Sequence, residues 1–365
     1  MNSFGQRFRF TTFGESHGVA LGVIVDGVPA GIKIDLDFIQ SEMDRRKPGK
    51  SEVETGRKES DTIQILSGIF ENEAGDLVST GTSIAMVLFN ENQRSKDYSN
   101  VKDLFRPGHA DFTYFNKYGI RDYRGGGRSS ARETSARVAA GAIAKLLLKE
   151  LDIEVQSGLL EIGGIKSENL DFNYAKEQKN ILFTLDKNKY NEQLQAVQKA
   201  KESHDSIGGV VLVKALNVPI GLGEPMYHKL DGEIASIMMG LNAVKAVEIG
   251  DGCEASKSTG SKNNDQITSK GFSTNHSGGI LGGISNGDDI VVKVYFKPTP
   301  SIFVEQQTIN TNNEDIKYKL QGRHDPCVAI RGSVVCESQL AIVLADMVLL
   351  NTTSKIENIK KIYKQ

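Results

Sequence analysis

The chain has 365 residues, 39% of them hydrophobic and 25% charged, a composition typical of a globular protein with a large core. Its formal net charge is −2, so no overall positive field attracts nucleic acid or an anionic membrane. The sequence shows no long apolar run, no signal-peptide pattern and no CxxC spacing among its three cysteines. We expect a cytoplasmic protein with reduced thiols and with neither nucleic acid nor membrane as a partner.

The first predicted elements are a strand over residues 19–25 and a helix that begins after Asp35. Asp35 is a typical N-cap, and Pro48 ends the helix with Arg45 and Arg46 in its last turn. Cations at a helix C-terminus complement the helix dipole, so these arginines by themselves do not require a ligand.

A second helix is predicted over residues 131–151, where apolar residues recur at the 3.6-residue spacing. Ser130 and Glu133 have the spacing of a capping box at its start. Further along, the pattern predicts strands over residues 209–216 and 290–296 and a third helix over residues 231–241.

Two features concern the organisation of the whole chain. Residues 250–279 are polar and predict either a disordered insertion or a mobile loop over an active site. The similar tetrapeptides at residues 28–31 (VPAG) and 218–221 (VPIG) each follow a predicted strand and precede a predicted helix. Four residues do not prove a repeat, but they permit a duplicated architecture within one domain over residues 1–365.

Residues 106–137 predict an active site for a small molecule with several negative charges. Seven cations stand there against three carboxylates, and six of the cations are arginine, which suits bidentate contact with carboxylate and phosphate. Three glycines at 125–127 come directly before Arg128 and the capped helix, so backbone N–H groups and a helix N-terminus can face the anion. A flexible loop whose serines only cap the helix is the simpler alternative, and it leaves the arginines unexplained.

Three loop histidines, His17, His109 and His324, stand among glycine or proline and near a hydroxyl or carboxylate group. A lone loop histidine is most often a polar surface residue, but histidine can also act as an acid or base near neutral pH. No short ligand spacing supports a metal site, and none is expected.

Seven distinctive motifs follow one another over nearly the whole chain: residues 12–18 (TFGESHG), 45–49 (RRKPG), 106–111 (RPGHAD), 121–134 (RDYRGGGRSSARET), 221–225 (GLGEP), 278–283 (GGILGG) and 322–327 (GRHDPC). In this order they closely resemble the motifs of the chorismate synthase family.

The resemblance implies a lyase that converts 5-enolpyruvylshikimate 3-phosphate to chorismate by anti-1,4-elimination of phosphate, in the shikimate pathway of aromatic amino-acid biosynthesis. It implies reduced FMN as a cofactor, without net redox change. The substrate carries a phosphate and two carboxylates, which would explain the cationic segment.

Carried over by motif, His17 would protonate the departing phosphate and His109 would protonate or support the reduced flavin. Asp325 would assist proton removal, with Ser16 or Ser129 as a relay. Flavin contacts would fall on Arg128, Ser129, Ser130, Asn242, Ala243, Gly282, Lys297, Pro298, Thr299, Pro300, Ser301 and Arg323. Arg46 and Arg132 would bind substrate anions, with Arg45 and Arg106 as helpers.

The family fold implied is α+β, a single-domain β-α-β sandwich with internal pseudo-symmetry, assembled as a homotetramer. The four arginines are also candidates for an NADP-type contact, although Glu52 stands where many relatives carry a basic residue. The chain has little room for an added reductase segment, so we expect an external flavin reductant.

Two other hypotheses differ in class. A phosphotransferase could use the glycine loop on nucleotide phosphates, but the Walker lysine is missing. A non-catalytic flavin or nucleic-acid binder would fit the cations, but the segment lacks a run of stacking aromatics.

Overall fold

The computed structural model describes residues 1–47, 49, 60–91, 101–320 and 325–364. The elements of the first half are β1 (Ser3–Phe4), β2 (Arg9–Gly14), β3 (Ala20–Asp26), α1 (Leu36–Arg46), β4 (Gln64–Ser67), β5 (Ile69–Glu71), β6 (Leu77–Ser79), β7 (Ile84–Phe89), α2 (Asp111–Tyr118) and α3 (Thr134–Lys149). Five of these strands form an antiparallel sheet in the order β1-β2-β3-β7-β4.

The second half repeats this plan and adds several short elements. They are β8 (Glu154–Ile162), β9 (Ile165–Lys166), α4 (Phe172–Lys176), α5 (Tyr190–Glu202), β10 (Gly209–Leu216), α6 (Leu230–Met239), β11 (Val244–Ile249), α7 (Gly260–Asn263), β12 (Ile267–Thr268), β13 (Gly271–Phe272), β14 (Ile280–Leu281), β15 (Ile284–Ser285), β16 (Ile290–Phe296), β17 (Gln306–Ile309), β18 (Asp315–Tyr318), α8 (Ala329–Asn351) and α9 (Ile356–Tyr363). Its sheet has the order β11-β16-β10-β8-β9 and is also antiparallel.

A layer of helices separates the two sheets, because each sheet has one apolar face to bury. In β3, Leu21, Val23 and Val25 are fully buried while Ile24, between them, is exposed. Helix α3 packs on β3 and α8 packs on β8 and β10, and the two helices contact each other. One cluster of buried side chains runs through both sheets and this helix layer. The fold is α+β and has the predicted β-α-β layering.

The two halves are internal duplicates, down to their hydrogen bonds. The paired elements follow the same chain order: β2, β3, α1, β4, β7, α3 and β8, β10, α6, β11, β16, α8. In the first half the Ser79 hydroxyl donates to the Pro29 carbonyl at 2.6 Å and accepts from the Ile32 N–H at 2.9 Å. In the second half the Ser285 hydroxyl does the same with Pro219 and Leu222, at 2.6 and 2.9 Å. The echo between residues 28–31 and 218–221 therefore marks a real structural repeat.

Most of the predicted elements are confirmed. Residues 19–25 fall on β3, and strands 209–216 and 290–296 match β10 and β16. The Asp35 side chain caps α1 by accepting from the Phe38 N–H at 2.9 Å. The helix predicted over residues 231–241 is α6, which begins at Leu230 and ends at Met239.

The prediction of a capping box at the start of the second helix is wrong. Residues Ala131–Glu133 form a 3₁₀ turn, and the Ser130 hydroxyl accepts from the Arg132 N–H before α3 begins at Thr134. The Glu133 carboxylate accepts hydrogen bonds from Thr12 at 2.8 Å and from Arg137 at 2.9 Å. It therefore bonds to these side chains and not to the backbone N–H of Ser130, as a capping box would require.

Helix α8 is long and apolar enough to cross a membrane, but 83% of its most apolar window is buried within the fold. It is the central helix of the core. Residues 250–279 contain a 3₁₀ turn over Gly252–Lys257, the helix α7 and the hairpin β12–β13. Whether this segment closes over a site stays a prediction.

Candidate active site

A cavity of about 630 Å³ lies beside the N-terminal ends of α3 and α8. Its volume falls in the range of small-molecule sites. The predicted residues that line it are Arg46, Arg106, His109, Ser129, Ser130, Arg132, Asn242, Ala243, Lys297, Thr299, Pro300, Ser301 and Asp325. Both halves contribute, so residues far apart in the sequence meet at one place.

The wall of this cavity is strongly cationic. Its described lining residues include six cations and one carboxylate, Asp325; the cations are Arg46, Arg106, Arg132, Lys245, Lys297 and Arg331. Two long helices also direct their N-terminal ends, which carry partial positive charge, towards this region. The cavity is therefore suited to a ligand with several negative charges.

Two of the arginines share one buried carboxylate. Asp61 bonds both Arg46 and Arg132, and all three side chains are almost fully buried. Burial raises the pKa of Asp61, but the two guanidinium groups outweigh it and hold this pKa at about 2. Burial also lowers the pKa of Arg46 to about 10, with Arg331 and Arg132 acting in the same direction and Asp61 opposing. One carboxylate for two cations leaves a net positive charge for a ligand to neutralise.

Arg331 extends this group of cations along α8. It bonds the Asp325 carboxylate, which precedes the helix. Among the described residues, the buried Nε atoms of Arg46 and Arg331 have no hydrogen-bond partner. Buried donors are normally satisfied, so these two N–H groups indicate that an anionic acceptor belongs in the cavity.

His109 is oriented by an ion pair behind it. Its Nδ1 lies 3.0 Å from Asp111, and Asp111 in turn accepts from Arg106 Nε at 2.7 Å. Burial lowers the pKa of His109 and Asp111 raises it, while Arg106 and Arg121 lower it further; the net direction is downward. With Nδ1 facing Asp111, Nε2 is the nitrogen available to exchange a proton with a ligand.

The three glycines at 125–127 pack against the side chains of the two histidines with predicted catalytic roles and of Glu15. All three have positive φ, +64°, +84° and +53°. A Cβ on Gly125 would lie 2.2 Å from His17 Cε1, and one on Gly126 would lie 3.0 Å from His109 Cε1. The Ser16 hydroxyl lies 3.2 Å from His17 Nδ1. His17 thus lies directly behind the Gly125 wall of the cavity, and the loop needs glycine to pass between the two histidines.

The side of the cavity built by residues 241–245 and 296–301 combines apolar and polar groups. Leu241, Phe296, Val328 and Val335 line it together with the predicted flavin contacts. Asn242 Nδ2 donates to the Ser129 carbonyl at 2.8 Å, which joins the two halves. Ala243 has φ +73°, a strained conformation for a residue with a Cβ and one that clusters at functional sites. The buried Thr299 hydroxyl has no partner among the described residues.

Several predicted contacts lie off the cavity wall in this chain. They are Ser16, His17, Arg45, Arg128, Gly282 and Pro298. Arg45 makes ion pairs with Glu42 and Glu337, and Arg128 Nη2 donates to the Thr12 hydroxyl at 2.6 Å. Gly282 occupies the turn of the β14–β15 hairpin. Their contacts with a ligand stay predictions, and Arg323, His324 and Glu52 lie outside the described residues.

Three important residues were not identified from the sequence: Asp61, Arg331 and Asn90. Asp61 bonds Arg46 and Arg132, which lie 15 and 71 residues away, so its local sequence carried no signal. Arg331 could have been found as a cation six residues after Asp325. Asn90 follows β7 and bonds Arg132 Nε at 3.1 Å. Nothing in its sequence context pointed to that contact.

Comparison with known proteins agrees with these features. The family model for chorismate synthase matches residues 8–349. Chorismate synthase of Aliarcobacter butzleri (strain RM4018) is 68% identical over 365 residues, and that of Helicobacter pylori (strain G27) is 57% identical over 371, each with all of both chains covered. A crystal structure of chorismate synthase superposes with a TM-score of 0.72 at 32% identity, over 99% of this chain and 97% of the other. The chain belongs to the chorismate synthase family.

Proposed function

We propose that the protein is a lyase that eliminates phosphate from 5-enolpyruvylshikimate 3-phosphate to give chorismate, with reduced FMN as its cofactor. The observation that carries the proposal is the cavity with six cations and one carboxylate, to which the family's motifs contribute Arg46, Arg106, Arg132 and Asp325. The substrate brings a phosphate and two carboxylates, which matches that excess of positive charge.

The reaction balances without an external oxidant. The carbon–oxygen bond to phosphate breaks and the phosphate leaves with the electron pair, a hydrogen leaves carbon 6 as a proton, and a new double bond completes the diene. Arg46 and Arg132 would bind the substrate's anionic groups, with Asp61 fixing the spacing of their guanidinium groups. His17 would give the departing phosphate a proton, and Asp325, oriented by Arg331, would assist removal of the proton from carbon 6.

The residues around the cavity fit a flavin. The apolar side chains Leu241, Phe296 and Val335 offer a surface for a ring system. Lys297, Ser301 and the partnerless Thr299 hydroxyl would hold a phosphate, with Arg106 near enough to assist. Reduced FMN, when bound, supplies electron density that assists departure of phosphate and is recovered afterwards. His109, whose Nδ1 faces Asp111, would present Nε2 to the flavin and exchange a proton with the reduced ring at that nitrogen.

We further propose a cytoplasmic homotetramer of one-domain chains. The outer face of the first sheet supports assembly, since Phe13, Ile24, Leu66 and Phe89 are exposed on it. Contiguous apolar surface of this kind marks protein–protein contact. The three cysteines are unpaired, as is usual in the cytoplasm. An external reductant would supply the reduced flavin.

The test is an anaerobic assay of the purified chain with the substrate and chemically reduced FMN, measuring chorismate and released phosphate. We expect turnover with reduced FMN and none with oxidised FMN or without flavin. Equal turnover without flavin would contradict the cofactor assignment. An arm with NADPH and oxidised FMN measures whether the chain reduces its own flavin; we expect no turnover there.

A matched pair of histidine variants tests the site. His109→Ala should lose most of the turnover, about 100-fold or more, because one general acid–base contributes that much. His228→Ala is the control, since His228 is exposed and pairs with Glu233 outside the cavity. Similar losses in both variants would argue that His109 has no chemical part.

A further inference from the structure

The loop that carries His17 and the side chain of Arg132 are joined by one amide. Asn90 directly follows β7, and its backbone N–H donates to the Val19 carbonyl at 3.0 Å, which extends the ladder between β3 and β7. This places the half-buried Asn90 side chain between the turn at residues 15–18 and the start of α3.

Both hydrogens of the Asn90 amide form hydrogen bonds with the turn at residues 15–18, which carries His17. Asn90 Nδ2 donates to the Glu15 carbonyl at 3.1 Å and to the Gly18 carbonyl at 2.9 Å. The turn itself closes with the Gly18 N–H donating to the Glu15 carbonyl at 3.0 Å. The amide therefore binds the turn at both its ends, with His17 between them.

The oxygen of the same amide accepts a hydrogen bond from Arg132. Asn90 Oδ1 accepts from Arg132 Nε at 3.1 Å, while Arg132 Nη1 bonds Asp61. Only one orientation of the amide satisfies all three bonds, because carbonyls require a donor and a guanidinium requires an acceptor. No other neutral side chain of this length supplies two donors and an acceptor.

We propose that Asn90 is a positioning residue that holds His17 in register with Arg132, so that proton donor and anion-binding group act on the same departing phosphate. The inference rests on the proposed function, because it takes the predicted roles of His17 and Arg132 as given. Both groups must address one leaving group, and a displacement of about 1 Å between them is enough to cost about 100-fold in rate.

Two variants separate the two contacts. Asn90→Asp keeps an acceptor for Arg132 but sets a carboxylate against the two carbonyls of the turn. We expect kcat to fall about 100-fold while KM stays near that of the wild type. Asn90→Ala removes both contacts, so kcat should fall and KM should rise as well.

Asn180→Ala is the matched control. Asn180 is buried and, like Asn90, donates to two backbone carbonyls, those of Tyr174 and Thr184. Its oxygen accepts from the Thr184 N–H, and it lies outside the cavity. Its loss should lower thermal stability and leave kcat and KM unchanged. A fall in kcat equal to that of Asn90→Ala would overturn the proposal, since the effect would then be one of general stability.

A double-mutant cycle with His17→Asn measures the coupling between Asn90 and His17. A role of Asn90 in general stability alone would produce no coupling. If Asn90 acts through His17, Asn90→Asp should lower the residual turnover little in the His17→Asn background. The same factor in both backgrounds would overturn the proposal.

Hydrogen exchange distinguishes failure of this inference from failure of the proposed function. Without any substrate, the Gly18 amide should exchange faster in Asn90→Ala than in the wild type or in Asn180→Ala. Unchanged exchange at Gly18 would overturn the inference even if the wild type makes chorismate. Faster exchange would support it even if the wild type were inactive, an outcome that would contradict only the proposed function.

Discussion

At the residue scale, the three glycines at 125–127 have a double purpose. Their positive φ values allow the loop to turn sharply, and their missing side chains leave space for His17, His109 and Glu15. An anion-binding loop needs only backbone N–H groups. The packing adds a second requirement, which is that two histidines lie on either side of one chain segment.

Gly125→Ala should abolish most activity without unfolding the protein. The new Cβ would lie 2.2 Å from His17, so the ring must move and the proton donor is displaced. We expect a loss of about 100-fold in kcat. Gly119→Ala is the control, because Gly119 also has positive φ but has nothing within 4 Å of the new Cβ. It should cost about 1–2 kcal/mol of stability and leave kcat intact. Equal kcat in the two variants would contradict the role of the Gly125 contact.

Asp61→Asn should destabilise the ligand-free protein by about 3–5 kcal/mol, because it leaves two buried guanidinium groups without their counter-ion. Phosphate should restore part of the loss by binding the same cations. Urea unfolding with and without phosphate measures both effects. Asp76→Asn, which breaks the exposed pair with Lys33, is the control and should be close to wild type. An Asp61→Asn protein as stable as the wild type, with a free energy of unfolding that phosphate does not change, would contradict this account.

The same carboxylate predicts a pH dependence. The folded-state pKa of Asp61 is about 2, below its ordinary value of 3.8, so the group contributes stability that is fully present above about pH 4. This contribution, about 2 kcal/mol, is lost as the pH falls from 3.8 towards 2. The Asp61→Asn protein should show a correspondingly flatter stability curve over that interval.

Much of the site at this scale could be predicted, because residues such as Arg46, His109 and Asp325 stand in unusual local motifs. Asp61 and Asn90 could not, since their partners lie far away in the sequence: Arg132 is 71 and 42 residues from them. A carboxylate or an amide in a polar stretch has the same local pattern whether it faces water or two buried arginines. Only the fold decides between the two.

At the element scale, α3 and α8 bring the two halves of the cavity together. The helices approach each other closely at Gly141, where a Cβ would lie 2.3 Å from Ser338 Cβ. Periodicity predicted α3 well, because its apolar face recurs at the helical spacing. It did not predict the true start of the helix, because Glu133 is captured by Thr12 and Arg137 of the surrounding structure.

Gly141→Ala should destabilise the protein by about 1–3 kcal/mol, since the added methyl group forces α3 and α8 apart. Intrinsic helix propensity acts in the opposite direction, by about 1 kcal/mol in favour of alanine. Gly232→Ala in α6 is the matched control, because Gly232 is exposed and its nearest neighbour would be Lys229 at 3.8 Å. Propensity alone should act there and raise stability. Denaturant midpoints of the two variants should therefore move in opposite directions; a shared direction would contradict the packing argument.

At the scale of the whole molecule, the cavity lies where equivalent parts of the two halves converge. The end of α1 contributes Arg46 and the segment after α6 contributes Asn242. The 3₁₀ turn before α3 contributes Arg132, and the start of α8 contributes Arg331. The tetrapeptide echo hinted at this arrangement, but the sheets could not be paired from the sequence. Strand order depends on contacts between distant segments, such as β3 with β7 and β10 with β16.

The duplication makes a final quantitative prediction about Ser79 and Ser285. Each hydroxyl is almost fully buried, donates to a proline carbonyl and accepts from the backbone N–H three residues beyond that proline. Ser79→Ala and Ser285→Ala each leave both backbone groups without a partner, so each should cost about 1–3 kcal/mol. Because the geometry is the same in both halves, the two losses should be similar in size and additive in the double variant, as expected for distant sites.

Urea unfolding at equilibrium, followed by circular dichroism, measures the three free energies of unfolding. Ser41→Ala is the control: its hydroxyl donates to the Phe38 carbonyl at 2.7 Å but is exposed, so water can replace it and stability should change by less than about 0.5 kcal/mol. A large loss of stability from one serine substitution and none from the other would show that the two turns have the same geometry but contribute differently to stability. Similar losses would mean that the duplicated turn stabilises both halves of the fold by the same pair of hydrogen bonds.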